Sequence, residues 1–318
     1  MNETTSQDEL MNSMKVSKAV AQMAIPSVIS SLVTVVYNMA DTFFVGQTGD
    51  PLQVAAVSLT NPIFILFMAF ANMFGMGGSA AASIAMGENN KKRMKQVSAF
   101  ITYASLGVGI VFAALLVLFM QPILGIFGAN AETYDLAKGY VFHISYGAPF
   151  IIWSAAASFV VRSEGSSREA MIGSMIGTVA NIVLDPIMIS GLHMGAAGAA
   201  IATTIGNVMA SAYYLWYFVK KSQNFSILPK DFSLENRLAA TVCSCGLPTA
   251  IFSMLMSLST IILNQILVAY GNAPVAAIGI VFKANMFITF LQMGLANGVQ
   301  PLLGYNFGSG DTKRFHAV

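Results

Sequence analysis

Three charged side chains sit inside stretches that are otherwise almost wholly apolar: Asp41, Asp185 and Lys283. Charges at such positions are costly and mark ion or proton pathways by default. Asp41 lies five residues before Gly46, Asp185 six before Gly191, and Thr203 five after Gly198. With those glycines at helix ends, a rise of 1.5 Å per residue puts all three roughly 7–9 Å from the same ends of their helices. Asn181 precedes Asp185 by four residues, so it shares that helix face one turn deeper. Four oxygen-bearing side chains from three helices thus meet at one level. Pro186 adds a further oxygen, because its missing N–H leaves the carbonyl of Ile182 without a helical partner. Two carboxylates, an amide, a hydroxyl and a freed carbonyl suit a hard cation. Alternatively the two carboxylates share a proton, since a nearby like charge raises one pKa. Either chemistry ties cation movement to conformational change. Lys283 lies too deep in its segment to reach the surface easily, so it faces a water-filled cavity or pairs with a polar group. His143 reads as a hydrogen-bonded interior histidine. Cys243 and Cys245 read as small packing residues, with neither a disulfide framework nor a metal-ligand set around them.

The elements that must position these residues are membrane-spanning helices. Of 318 residues, 56% are hydrophobic and 9% charged, against about 25% charged in a soluble domain. Crossing the hydrocarbon layer takes about 20 apolar residues. Eight segments qualify, at 20–46, 53–87, 97–120, 135–161, 169–190, 196–219, 238–270 and 274–307. They are too long, and too uniformly apolar, for barrel strands. The net charge of +2 is too small to indicate nucleic acid. Fourteen lysines and arginines fall in the N-terminal tail and the even-numbered gaps, against Lys138 alone on the other side; this places both chain ends in the cytoplasm. The N-terminal tail lacks a basic region and a small-residue cleavage site, so the first span is expected to be retained.

Residues 54–97 align without gaps onto 275–318, an offset of 221. Gly87 meets Gly308, Lys92-Arg93 meets Lys313-Arg314, and Pro26 meets Pro248 after a one-residue shift. Copies separated by six spans share one orientation, a parallel repeat of the kind found in secondary transporters. A second half matching the first would need about four more spans, so the chain is expected to be a fragment or a truncated product. Gly173 and Gly177 make a G-x-x-x-G in span five, and Gly195-Ala-Ala-Gly-Ala-Ala opens span six. Such small faces predict close packing of those two helices. Pro26 predicts a kink in span one, either a hinge or a static bend. No P-loop, H-E-x-x-H or Ser/His/Asp set is present, which argues against an enzyme and against an ATP-driven pump.

The pattern Asp41-Thr-Phe-Phe-Val-Gly46-Gln-Thr-Gly49 followed by Val54-Ala55-Ala56 resembles spans one and two of the multidrug and toxic compound extrusion (MATE) family. Arg162-Ser-Glu-Gly165, Asn181-Ile-Val-Leu-Asp185-Pro186 and Gly198-Ala-Ala-Ile-Ala-Thr203 resemble its spans four to six. Gln300-Pro301-Leu-Leu-Gly-Tyr305-Asn306-Phe-Gly308 resembles the end of its span eight. The similarity covers essentially the whole chain in order and is closest to a bacterial branch.

The resemblance implies an all-α polytopic membrane protein of the MATE type, with twelve helices in two six-helix lobes. Here it implies an N-terminal tail at 1–19, an N-lobe at 20–220, a cytoplasmic linker at 221–237 and a partial C-lobe at 238–318, eight spans of the expected twelve. Family members export amphipathic, often cationic compounds in exchange for sodium ions or protons, with no other cofactor. The family's N-lobe cation site falls on Asp41, Asn181, Asp185 and Thr203, and its first-span bend on Pro26. The expected setting is the bacterial inner membrane, with small amphipathic drugs and the lipid bilayer as partners. Residues 238–270 contain no Asp or Glu, unlike some branches, so coupling falls to the N-lobe or to absent spans. Without those spans the chain is expected not to enclose a substrate by itself. A lipid-linked oligosaccharide flippase is the nearest alternative, but it would want several cations along its cavity, and Lys283 is the candidate at hand. A transport-dead remnant is the other.

Overall fold

The computed structural model describes residues 9–46, 50–268 and 272–318; the side chains of Asp41 and Lys283 lie outside the described set. Among the described residues there is no strand, and eight long helices follow one another. They are α1 (Val16–Gly46), α2 (Pro51–Gly87), α3 (Lys91–Leu118), α4 (Tyr134–Ser163), α5 (Ser167–Pro186), α6 (Gly195–Lys220), α7 (Leu238–Val268) and α8 (Asn272–Ser309). Each corresponds to one expected span. The largest difference is at α3, which begins at Lys91 rather than 97. Its first turn is polar and so escapes an apolar-run reading, but Asn90 caps it by accepting from the Arg93 N–H at 3.0 Å, a standard helix start. Asp50 likewise caps α2 through the Leu52 N–H at 2.9 Å, with Pro51 pre-set for the first turn.

Six of the helices, α1 to α5 and α7, are long and apolar enough to cross a membrane along their described residues. The other two pack among them, α6 against α4 and α5, and α8 against α1 and α2. Small residues and tyrosines occupy the buried face of α6, which lowers its apolar content without exposing it. The central element is α4: 72% of its most apolar stretch is buried, against 22–33% for the other five. Two apolar clusters flank it, one around Trp153, Val160 and Tyr217, the other around Phe67, Ile144 and Ile151.

The repeat is visible in the packing. Ser79 on α2 donates to Gln300 Oε1 on α8 at 3.1 Å, and these residues are 221 apart. A Cβ on Gly77 would come within 2.0 Å of the Val242 carbonyl on α7, while one on Gly298 would come within 2.6 Å of Ala24 Cα on α1. Thus α2 leans on α7 as α8 leans on α1, the exchange a two-fold relation requires. The predicted α5–α6 approach is also present: a Cβ on Gly177 would lie 2.9 Å from the Gly206 carbonyl oxygen.

The segment between α6 and α7 is docked rather than loose. Ser98 on α3 exchanges two 2.9 Å hydrogen bonds with the backbone of Ser226, and Tyr103 donates to the Ile227 carbonyl at 2.9 Å. At the other end of α8, Arg314 donates to the carbonyls of Leu10, Met11 and Met14 at 3.3, 3.2 and 2.7 Å. That guanidinium holds the turn before α1 against the chain that follows α8.

Candidate functional site

Three of the four expected cation-site residues come together. Asp185 is fully buried, and Asn181 and Thr203 are 3% and 5% exposed. The tight α5–α6 contact at Gly177 and Gly206 brings their backbones close enough for these short side chains to meet. The Asn181 amide satisfies both neighbours when its nitrogen donates to Asp185 Oδ2 at 2.9 Å. Its oxygen then accepts from the Thr203 N–H at 2.9 Å and from the Thr203 hydroxyl at 3.1 Å. The reversed amide would set Nδ2 against the Thr203 N–H, donor to donor, and its oxygen against Asp185, so the surroundings satisfy the first orientation alone. The donating amide suits an ionised Asp185; a protonated one would call for the amide to turn and for the Thr203 N–H to give up that acceptor.

Immediately after Asp185-Pro186 the helix widens into a π turn over Ile187–Gly191, a local feature often found at functional sites. Asp41 lies in the last turns of α1, a helix that packs against α5; its side chain falls outside the described residues. Lys283 lies in α8 with its side chain likewise outside them. Pro26 sits inside a continuous α1, where Ser27 donates to the Met23 carbonyl at 2.9 Å. His143 is the expected interior histidine, Nδ1 lying 2.7 Å from the Gly139 carbonyl oxygen. Among the described residues no three His, Cys, Asp or Glu side chains cluster as metal ligands.

Beside this cluster opens a cavity of about 440 Å³, walled by α1, α2, α4, α5, α6 and α8. Its lining mixes apolar faces (Phe64, Met68, Phe159, Phe290, Met293) with amides (Asn38, Asn72, Asn181, Asn207, Asn297). Asn181 belongs to both the cluster and the cavity wall. A hydrogen-bonded path extends from it: Asn207 donates to the Thr203 carbonyl at 2.9 Å and accepts from Ser154 on α4 at 3.0 Å. Asp185, Asn181, Thr203, Asn207 and Ser154 therefore form one chain from a buried carboxylate to the central helix.

Sequence reasoning missed three residues. Arg162, counted among the loop cations that set orientation, is instead 6% exposed in the last turn of α4 and lines the cavity. Lys283 is thus not the sole candidate cation there. Glu164, in the α4–α5 turn, is fully buried. It accepts from the Tyr217 hydroxyl at 2.6 Å, Ser222 Oγ at 2.9 Å, and the N–H groups of Gln223 and Asn224 at 3.3 and 3.1 Å. Burial raises its pKa above the usual carboxylate range, opposed by these bonds. For Asn207 a signal was available: it lies four residues after Thr203, on the same helix face.

The family model described as MatE matches residues 26–187 and 248–318. The two matched stretches open on Pro26 and Pro248, the prolines that correspond to each other upstream of the two copies of the internal repeat. The multidrug export protein MepA of Staphylococcus haemolyticus (strain JCSC1435) is 33% identical over 296 residues, 93% of this chain and 66% of its own length. The protein of the same name in Staphylococcus aureus (strain NCTC 8325 / PS 47) is 33% identical over 292 residues, 92% of this chain and 65% of its own. This chain therefore spans slightly less than two thirds of these curated relatives. Crystal structures of MATE in the straight and in the bent conformation superpose with TM-scores of 0.91 and 0.89, each at 27% identity over 98% of this chain and 69% of theirs. In fold, in the order of its motifs and in its sequence, the chain belongs to the MatE family.

Proposed function

We propose that this chain is the N-lobe (20–220), linker (221–237) and first part of the C-lobe (238–318) of a cation-coupled exporter of amphipathic drugs. It sits in the bacterial inner membrane with its N-terminus in the cytoplasm. The observation that carries the reading is the hydrogen-bonded chain from Asp185 through Asn181 to the cavity wall, supported by the MepA relatives and their multidrug export. A sodium ion or a proton enters between Asp41 and Asp185. A proton neutralises Asp185 and reverses the Asn181 amide; a sodium ion keeps both carboxylates ionised and draws the amide oxygen toward itself. Either event shifts Thr203 and, through its carbonyl, Asn207, which borders the cavity, so the cation changes the cavity's affinity. Because such coupling is reciprocal, substrate and cation exchange for one another.

Efflux of a fluorescent cationic dye from drug-sensitive cells tests this, with the 318-residue chain and with the chain extended to the relatives' full length. In whichever form pumps, Asp185→Asn is expected to lower efflux by at least about tenfold, the scale of losing an intramembrane ionisable group, with insertion unchanged. Normal pumping by both Asp185→Asn and Asp41→Asn would sink the site assignment.

A further inference from the structure

The geometry points to Arg162 as the anchor for an anionic head group, so that the cavity takes amphiphiles bearing a carboxylate or phosphate as well as lipophilic cations. The inference rests on the cavity being the ligand chamber proposed above. Among the described lining residues Arg162 is the one charged side chain, and no carboxylate lines the space with it. It does not reach outward like a snorkelling arginine, being 6% exposed. Its Nε is closed off from solvent with no hydrogen-bond partner, and among the described residues no acidic group lies within ion-pair distance. The contact it does make is with the ring of Phe159, 5.4 Å from guanidinium carbon to ring centroid. A ring satisfies the positive charge from one face but none of the five N–H donors of the guanidinium fork.

A buried guanidinium normally has a carboxylate or phosphate against it, because desolvating it otherwise is costly and its fork matches their paired oxygens. Among the described residues nothing supplies that anion, which leaves the site open to one carried by a ligand. The surroundings fit an oxyanion joined to an apolar body. Ser158 lies one turn from Arg162 on the same helix face, and Ser174 and Tyr214, 3.0 Å apart, line the same cavity. Phe159, Phe64 and Met293 supply apolar wall. A carboxylate or phosphate on the guanidinium would have aromatic surface for its tail, and the Ser158, Ser174 and Tyr214 hydroxyls would serve its remaining lone pairs by turning from the carbonyls of Ala155 and Ala170, to which they now donate.

The test uses the purified 318-residue chain in a neutral maltoside detergent, titrated with 11-(dansylamino)undecanoic acid and with its methyl ester, reading dansyl fluorescence. The acid is expected to bind at least about tenfold more tightly than the ester, as a charge-assisted bidentate contact requires. Arg162→Gln should remove that preference while still binding the ester, which reports an intact cavity; Arg162→Lys should keep part of it. Equal binding of acid and ester by the wild type, or an undiminished preference in Arg162→Gln, would overturn the assignment. Where Arg162→Gln does not fold, competition on the wild type decides. Dodecyl phosphate and dodecanoate should displace the acid at about tenfold lower concentration than dodecyltrimethylammonium, and the opposite order overturns the proposal. Added phosphatidylglycerol that displaces the acid identifies a lipid head group as the occupant; displacement by dodecanoate alone identifies a free amphiphile, and either upholds the anionic chemistry. If neither acid, ester nor cation binds, both this inference and the ligand-chamber reading fall.

Discussion

Asp185 and Glu164 are both fully buried, yet the molecule surrounds them in different ways. Glu164 is held by two hydroxyls and two backbone N–H groups drawn from α6 and the segment after it. The backbone donors cannot turn, and together the four fix where the docked segment leaves α6. Asp185 accepts from the side-chain amide of Asn181, a donor that can rotate on its own bond as a backbone N–H cannot. A carboxyl group pinned by backbone donors is structural, because removing it strands the donors. A carboxylate facing a side-chain amide can keep a partner on changing its charge only by turning the amide, at the cost of the Thr203 N–H contact. The difference separates a strut from a switch, although burial and residue class are nearly the same.

The comparison breaks most visibly at Glu164. Glu164→Ala leaves the Tyr217 hydroxyl and two N–H groups without an acceptor in a buried turn, a loss of about 3–5 kcal/mol on the scale of breaking a buried charged network. Thermal unfolding in detergent should show a large drop in midpoint, whereas Asp185→Asn should unfold close to the wild type. If Asp185→Asn destabilises as much as Glu164→Ala, Asp185 is a strut as well.

The second consequence is in pH. Burial raises the Glu164 pKa in the folded chain, so between the ordinary carboxylate range and that raised value the folded state holds a proton that the unfolded state has released. Its contribution to stability is therefore fully present below the unfolded value and is lost as pH rises through the folded one. Unfolding midpoints measured across that window should decline with pH in the wild type and lose this component in Glu164→Gln, which titrates in neither state. An identical decline in Glu164→Gln would assign the effect to other groups.

Much of this was legible in the sequence. The eight spans follow from apolar length, and the depth of Asp185 and Thr203 follows from counting along helices whose ends are marked by glycine. Asn181 follows from the four-residue spacing. What stayed hidden depends on tertiary placement. Arg162 and Glu164 sit in a stretch that reads as a cytoplasmic turn, and the sequence does not reveal that α6 and the segment after it fold back over that turn. The same holds for the docked residues 222–227, whose polarity reads as a linker. Asp41, the fourth expected member of the site, lies outside the described side chains, and its part in the site belongs to the proposal.

The smallest expected effect sharpens the comparison furthest. Asn207 stands one step along the path from Asn181, linking the Thr203 carbonyl to Ser154. Asn207→Ala removes two hydrogen bonds at a half-buried position, which should cost only about 1 kcal/mol in stability. If Asp185 is a switch, that loss should weaken communication more than it weakens the fold. The observable is the shift in probe affinity, measured with the dansyl acid, between pH 5 and pH 8 or between sodium and choline buffers. The wild type should show a cation-dependent shift, and Asn207→Ala should show a smaller one with its affinity in the reference buffer little changed. A full-sized shift in Asn207→Ala would mean that the cation acts on the cavity through Asn181 itself, which lines it directly, and the path to α4 would then be a brace for α6.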